Sequence, residues 1–299
     1  MDFRRENFNF ILSNQVSVDG EPWALDVSEN LQLIACGSSN GNIYLINMDD
    51  FGKVTILCDA GGVLKVSFNQ NGSHLVVCTL GAKCLIVETK CSRIITGLSF
   101  NDWVSTCTWL DVNRFAIGGF FQGVYIINID GRILQRLDLL YSFPDLVSTS
   151  SHIYAISHDH TVSKISLSTG LIEESNDFEE KLLSISLGRP NNLIVVLRSG
   201  TIVFMDPCDL SSIRSYNFLS EKQMNFRCFR SKFGGEFDEF IVVGDEEGHL
   251  RIFHCKLESI VAEIVASQKL INDLYITSSM KIISASDDGI ISFFKLSTN

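Results

Sequence analysis

Short apolar runs, not helical stripes, organise this chain. Leu31 to Cys36, Leu75 to Cys78, Phe115 to Ile117, Ile153 to Ile156, Leu193 to Leu197, Phe240 to Val243 and Lys281 to Ala285 are each followed by a small turn. The turns carry Asn40-Gly41, Gly81, Gln122-Gly123, His160-Thr161, Ser199-Gly200, Glu247-Gly248 and Asp288-Gly289. A second apolar run follows each: Ile43 to Ile46, Cys84 to Val87, Val124 to Ile127, Val162 to Ile165, Thr201 to Met205, Leu250 to Phe253 and Ile290 to Phe294. Two runs rich in Ile, Val and Phe around a Gly-bearing turn predict a β-hairpin. No long segment places apolar residues at i, i+3, i+4 and i+7. Glu173 to Leu183 comes nearest and reads as a charged connector.

The hairpins recur in steps of roughly 37 to 48 residues, the period of a propeller blade, whereas solenoid repeats of that length are helical. Each hairpin therefore forms the middle of a four-stranded blade. The expected inner strands are Trp23 to Val27, Leu64 to Phe68, Ser105 to Trp109, Leu146 to Thr149, Leu182 to Leu187, Asn225 to Phe229 and Asn272 to Ile276. Expected outer strands include Val54 to Cys58, Arg93 to Leu98, Ile133 to Leu137, Ile213 to Phe218 and Ser259 to Val265. The seventh blade runs out at Lys295-Leu296, three strands in, and an open edge there invites non-native pairing. Phe8 to Leu12 is the spare strand, expected to close the ring in the last blade. The expected fold is all-β: a seven-bladed β-propeller occupying 1–299 as one domain, with 1–20 as tail and closing strand.

Composition narrows the function. The net charge is −11, from 24 Lys plus Arg against 35 Asp plus Glu, which argues against a general nucleic-acid binder. Nine Cys, with no C-x-x-C, do not look like a secreted disulfide framework. They are expected to be reduced and mostly core-facing, in a cytoplasmic or nuclear protein. No apolar run has the length of a signal peptide or membrane span, so no stable membrane insertion is expected.

The hairpins resemble WD repeats. That family ends the third strand in Trp-Asp; the Trp positions here hold Ile46, Val87, Ile127, Ile165, Met205, Phe253 and Phe294, which keep an apolar packing role. The polar network built on Gly-His and a turn Asp is largely missing, and Asp59-Ala60-Gly61-Gly62 stands where Gly-His would be common. Apolar packing then has to stabilise the blades, at about 1.5–3 kcal/mol per buried large side chain. One branch is closer. Cys228-Phe229-Arg230-Ser231-Lys232-Phe233-Gly234-Gly235, followed by Phe240 to Glu246, is similar to the sixth blade of the WD-repeat subunit of the GID/CTLH ubiquitin ligase. Arg114 to Gly119 with Gly123 and Asp130 to Leu134 resembles that subunit's third blade, and Ser284 to Gly289 its last. The resemblance implies a non-catalytic scaffold that assembles the complex or presents substrates. Members carry LisH and CTLH helices ahead of the propeller; with only residues 1–20 ahead of the first blade, ring-type assembly is not carried over.

Specific chemistry is sparse. His158-Asp159-His160, with His249, His254 and Cys255, could be imagined as a metal set, but the triplet falls in an expected turn, where Asp and His are ordinary. Cys84 and Cys91 lack zinc spacing and read as packing residues. Asp245-Glu246-Glu247 and Asp287-Asp288 lie at hairpin tips, where turn geometry explains them better than acid–base catalysis. No phosphate loop or nucleophile motif is present, so neither enzyme nor cofactor is expected. Phe3-Arg4-Arg5-Glu6 only partly matches the Phe-Arg-Arg-Gly of phosphoinositide-binding propellers, the alternative lipid-binding reading; a chromatin or transport scaffold is a further one. Asp130-x-Arg132 is a weak match to the adaptor-docking element of cullin-ligase propellers and reads as a turn. The residues expected to bind a partner protein are Trp23 and Trp103 at the rim and Arg227, Arg230 and Lys232 near the sixth inner strand.

Overall fold

The structure is a computed structural model that describes residues 8–58, 60–189, 192–217 and 230–297. Its described residues form 28 strands in seven four-stranded antiparallel sheets arranged as a ring. The blades span 22–57, 63–99, 104–142, 145–177, 182–217, 231–265 and 271–296. Among the described residues no helix is long and apolar enough to cross a membrane.

The ring closes as the spare-strand argument requires. The last blade has three strands of its own, Ile271–Ile276, Lys281–Ser286 and Ile290–Leu296, and its fourth is Phe10–Ser17. Phe10 pairs with Leu296 and Ser17 with Ile290, so both ends of the chain meet in one sheet. The closing strand extends further than the expected Phe8 to Leu12, because after an irregularity between Leu12 and Asn14 its pairing with the last strand resumes and continues to Ser17.

Two other strands differ from expectation. Ile172–Asp177 is the outer strand of the fourth blade, not a charged connector. An outer strand meets water over much of its surface, so Glu173, Glu174 and Asp177 fit there without an apolar run. The sixth inner strand is Ser231–Gly234, whereas the expected Asn225 to Phe229 lies outside the described residues. Gly234 is required there: a Cβ would stand 2.2 Å from the Ile276 side chain of the next blade.

Alternation fixes the packing. Side chains of the two middle strands of each blade point to its two faces and meet those of both neighbours. Seven apolar clusters result, one at each blade–blade interface. The seven residues at the Trp positions are all 3% exposed or less, so apolar side chains do take over that packing role. One blade also keeps a polar anchor. Asp245, buried in the hairpin turn of the sixth blade, accepts from the Glu247 and His249 amides and pairs with Arg251 at 2.6 Å.

Phe10 is buried in the cluster with Phe240 and Phe294 and holds the closing strand to the ring. Phe10→Ala is expected to cost about 3 kcal/mol, read as a lower urea midpoint in equilibrium unfolding.

Candidate functional site: channel mouth and top rim

Each inner strand pairs on one edge only; its other edge faces the central channel. Amides on that edge need acceptors, and side chains from the preceding blade provide several. Asp273 accepts the Leu25 amide at 2.9 Å, Asp26 the Phe68 amide at 2.8 Å and Asp145 the Ile185 amide at 3.2 Å. Ser105 donates to the Pro144 carbonyl and Ser186 to that of Ser231, also between adjacent blades. Polar residues in otherwise apolar strands are thus inter-blade clasps.

The carboxylates share the channel with three cations. Arg230, immediately before the sixth inner strand, reaches across to the second blade, where its Nη2 donates to the Leu64 carbonyl at 3.4 Å. Its Nη1 stands 3.9 Å from Asp145 Oδ1. Lys232 and Lys65 complete the set. Asp26 and Lys65 keep some surface open to the channel, but protein encloses them on their other sides. Burial raises the Asp26 pKa against the opposing pull of Lys232 and Lys65. Burial lowers that of Lys65, helped by Lys232 and Arg230.

The inner strands begin, and the central hairpins turn, at the same end of the ring, here called the top. Trp23 lies on its strand at the channel mouth, with Nε1 donating to Glu21 at 3.2 Å and its ring so close over Gly62 that a Cβ there would be 2.5 Å away. Trp23 and Arg230 line one pocket of about 290 Å3 with Leu64, Leu80 and Leu270. Arg230 and Lys232 line a second, of about 160 Å3, with Lys65 and Asp145.

Trp103 belongs to a different surface. It precedes its inner strand, is 45% exposed, and meets the Phe120 ring edge-on at 5.1 Å. Phe120, itself 41% exposed, lies 4.7 Å from His158 in the next blade's hairpin turn. Gly119 makes this possible, since a Cβ would press to 2.1 Å from the Trp103 carbonyl. Burial lowers the His158 pKa, with Lys181 adding to the effect, which favours a neutral ring against Phe120 at neutral pH. Arg227 and the Phe3-Arg4-Arg5-Glu6 stretch lie outside the described residues.

The remaining motifs resolve into local structure. His158 belongs to the aromatic ridge, and His160 occupies a left-handed turn position at φ 65°. Asp130-x-Arg132 is a turn in which the Asn128 side chain accepts the Arg132 amide at 2.8 Å. Asp287 accepts from Asn272 and Asp288 from Ser267, tying hairpin to neighbouring loop. Cys84 is buried as expected, but Cys91 is exposed in a turn beside Glu88, because the outer hairpins of the blades project from the core. The chain matches no protein-family model.

Sequence reasoning missed Asp26, Lys65, Asp145 and Asp273. Their signal was a charged residue in, or at the start of, each of four inner strands whose other residues are apolar or hydroxyl-bearing apart from Asn272.

Asp26→Asn tests the electrostatic reading. Between the ordinary Asp value, about 3.9, and its raised folded value, Asp26 binds more protons folded than unfolded, so wild-type stability falls as pH rises through that window. Asn keeps an acceptor for the Phe68 amide and does not ionise. The variant is expected to lose this pH slope and to be at least as stable as wild type at pH 7 in urea titrations.

Proposed function

We propose that this chain is a non-catalytic protein-interaction scaffold, and that it serves as a subunit of a GID/CTLH-type ubiquitin ligase, assisting assembly or presenting substrates. The observation that supports a scaffold best is the ridge of Trp103, Phe120 and His158 across the top of the third and fourth blades. Large aromatic side chains held rigidly in an exposed position are the residues that most often dominate binding energy at protein interfaces. Phe120 also borders an outer cleft of about 640 Å3 that contains Phe100, Tyr125 and Arg136. Ridge and cleft together offer apolar contact area with a charged margin, the composition of a docking surface.

The ligase assignment rests on the stretch around Ser231 to Gly235 and on the third-blade motif, not on the fold, because propellers serve unrelated functions. In this reading 1–299 works as one unit in the cytoplasm or nucleus. Partner segments dock on the top face through Trp103 and Phe120, with Trp23, Arg230 and Lys232 nearer the channel; Arg227 is a further partner-binding residue in this reading.

Affinity purification of the tagged chain from its own cells, followed by mass spectrometry, tests the assignment. RING- and CTLH-containing subunits in near-stoichiometric amounts are the expected result; a different stable complex, such as one of chromatin or transport machinery, would replace it. The double variant Trp103→Ala/Phe120→Ala is expected to lose most partner recovery, while its melting temperature stays within about 4 °C of wild type because both rings are exposed.

A further inference from the structure

The outer strand of every blade has one edge that pairs with nothing among the described residues. An edge of this kind is a template for another chain unless it is short, charged or apolar-poor. The outer strand of the third blade, Ile133–Ser142, is none of these. At 10 residues it is the longest strand described. Ile133, Leu134, Leu140 and Tyr141 along it are between 41% and 81% exposed. The other outer strands carry at most two exposed large apolar side chains each. Leu137 pairs with Val124 and Ser142 with Gln122, so residues 138–141 bulge from the ladder with no register partner of their own. Bulges often turn an edge away from further pairing. This one instead leaves Leu140 and Tyr141 open to solvent.

The order of side chains on this strand is self-complementary. Let a second copy of the strand run antiparallel to it about a two-fold axis at Leu137. Leu134 then meets Leu140 of the second copy, and Ile133 meets Tyr141. Arg136 meets Asp138, and Gln135 meets Leu139. Each exposed apolar residue faces another, and each charge faces its opposite, the pairings that stabilise adjacent strands. Strand alternation places Leu134, Arg136, Asp138 and Leu140 on one face. Arg136 Nε lies 2.7 Å from Asp138 Oδ1, so these two do share a side. Both are more than half exposed, which leaves the ion pair free to join its counterpart across the axis in a network of both copies. A foreign strand has no reason to match this order, whereas a second copy matches it through one axis, as an isologous contact requires.

We propose that the outer strand of the third blade is a self-association edge, on which the same strand of a second copy adds antiparallel about a two-fold axis at Leu137 and joins two propellers through one continuous sheet. This goes beyond the scaffold reading and does not depend on it.

Sedimentation velocity of the full chain from about 1 to 100 μM tests the proposal, because self-association follows mass action. Wild type is expected to show a concentration-dependent monomer–dimer equilibrium. Arg136→Asp and Asp138→Arg each set like charges across the axis, and each is expected to raise the dimer Kd at least about tenfold. An equimolar mixture of these two variants sets the acids of one chain against the bases of the other. It is expected to dimerise at least as tightly as wild type, a recovery that a folding defect in either variant cannot imitate. The swapped variant Arg136→Asp/Asp138→Arg is expected to match wild type as well. A wild-type chain that stays monomeric throughout the range overturns the proposal; loss of partner recovery by Arg136→Asp in that case would assign the edge to a foreign strand. A dimer equally tight in wild type and both single variants uses another surface and overturns it too. Neither result bears on Trp103→Ala/Phe120→Ala, whose partner loss reports on the scaffold reading alone.

Discussion

A ring of seven sheets has to satisfy seven inner strand edges that pair with no further strand among the described residues. That requirement governs the centre of this molecule. Side-chain acceptors are needed along the channel edge, and Asp26, Asp145 and Asp273 each fill one such need by accepting an amide from the next blade. Carboxylates so placed bring negative charge into the middle of the protein. Lys65, Arg230 and Lys232 supply the opposite charge there. The charged interior of this propeller thus follows from backbone hydrogen bonding before any function is considered.

Outside the channel the division of labour is different. Blade-to-blade cohesion is apolar, with one cluster at every interface. Cohesion of this kind does not depend on a Gly-His and turn-Asp network such as WD repeats use. The sixth blade adds a polar anchor of its own in the buried Asp245–Arg251 pair. Removing one partner of such a pair would leave an uncompensated charge, so it fixes the turn more strongly than it adds net stability.

The top face combines two chemistries. The channel mouth is charged, and Trp23 lies beside it. The rim of the third and fourth blades is aromatic and open. Trp23 and Trp103 occupy similar positions in their repeats but meet different surroundings. Trp23 covers Gly62 at the channel mouth, and Trp103 is turned out beside Phe120, so one lines a pocket and the other forms a projecting edge.

The sequence alone determined the blade number, the strand pairing within each hairpin, and closure by a strand from the chain's start. Each depends on local physics: alternation of apolar residues, turn residues at the hairpin tips, and a last blade one strand short. It also showed that the Trp positions stay apolar, and all seven are buried. It misread Ile172–Asp177, because an exposed outer strand carries no apolar signature. Only the tertiary structure decided the sites. Arg230 and Lys65 are far apart in the chain and share a cavity because the ring brings the sixth blade opposite the second. Phe120 and His158 sit on separate repeats and touch because adjacent blades bring their hairpin turns together. Such juxtapositions leave no trace in spacing or composition, since ring geometry, not sequence separation, sets which side chains meet.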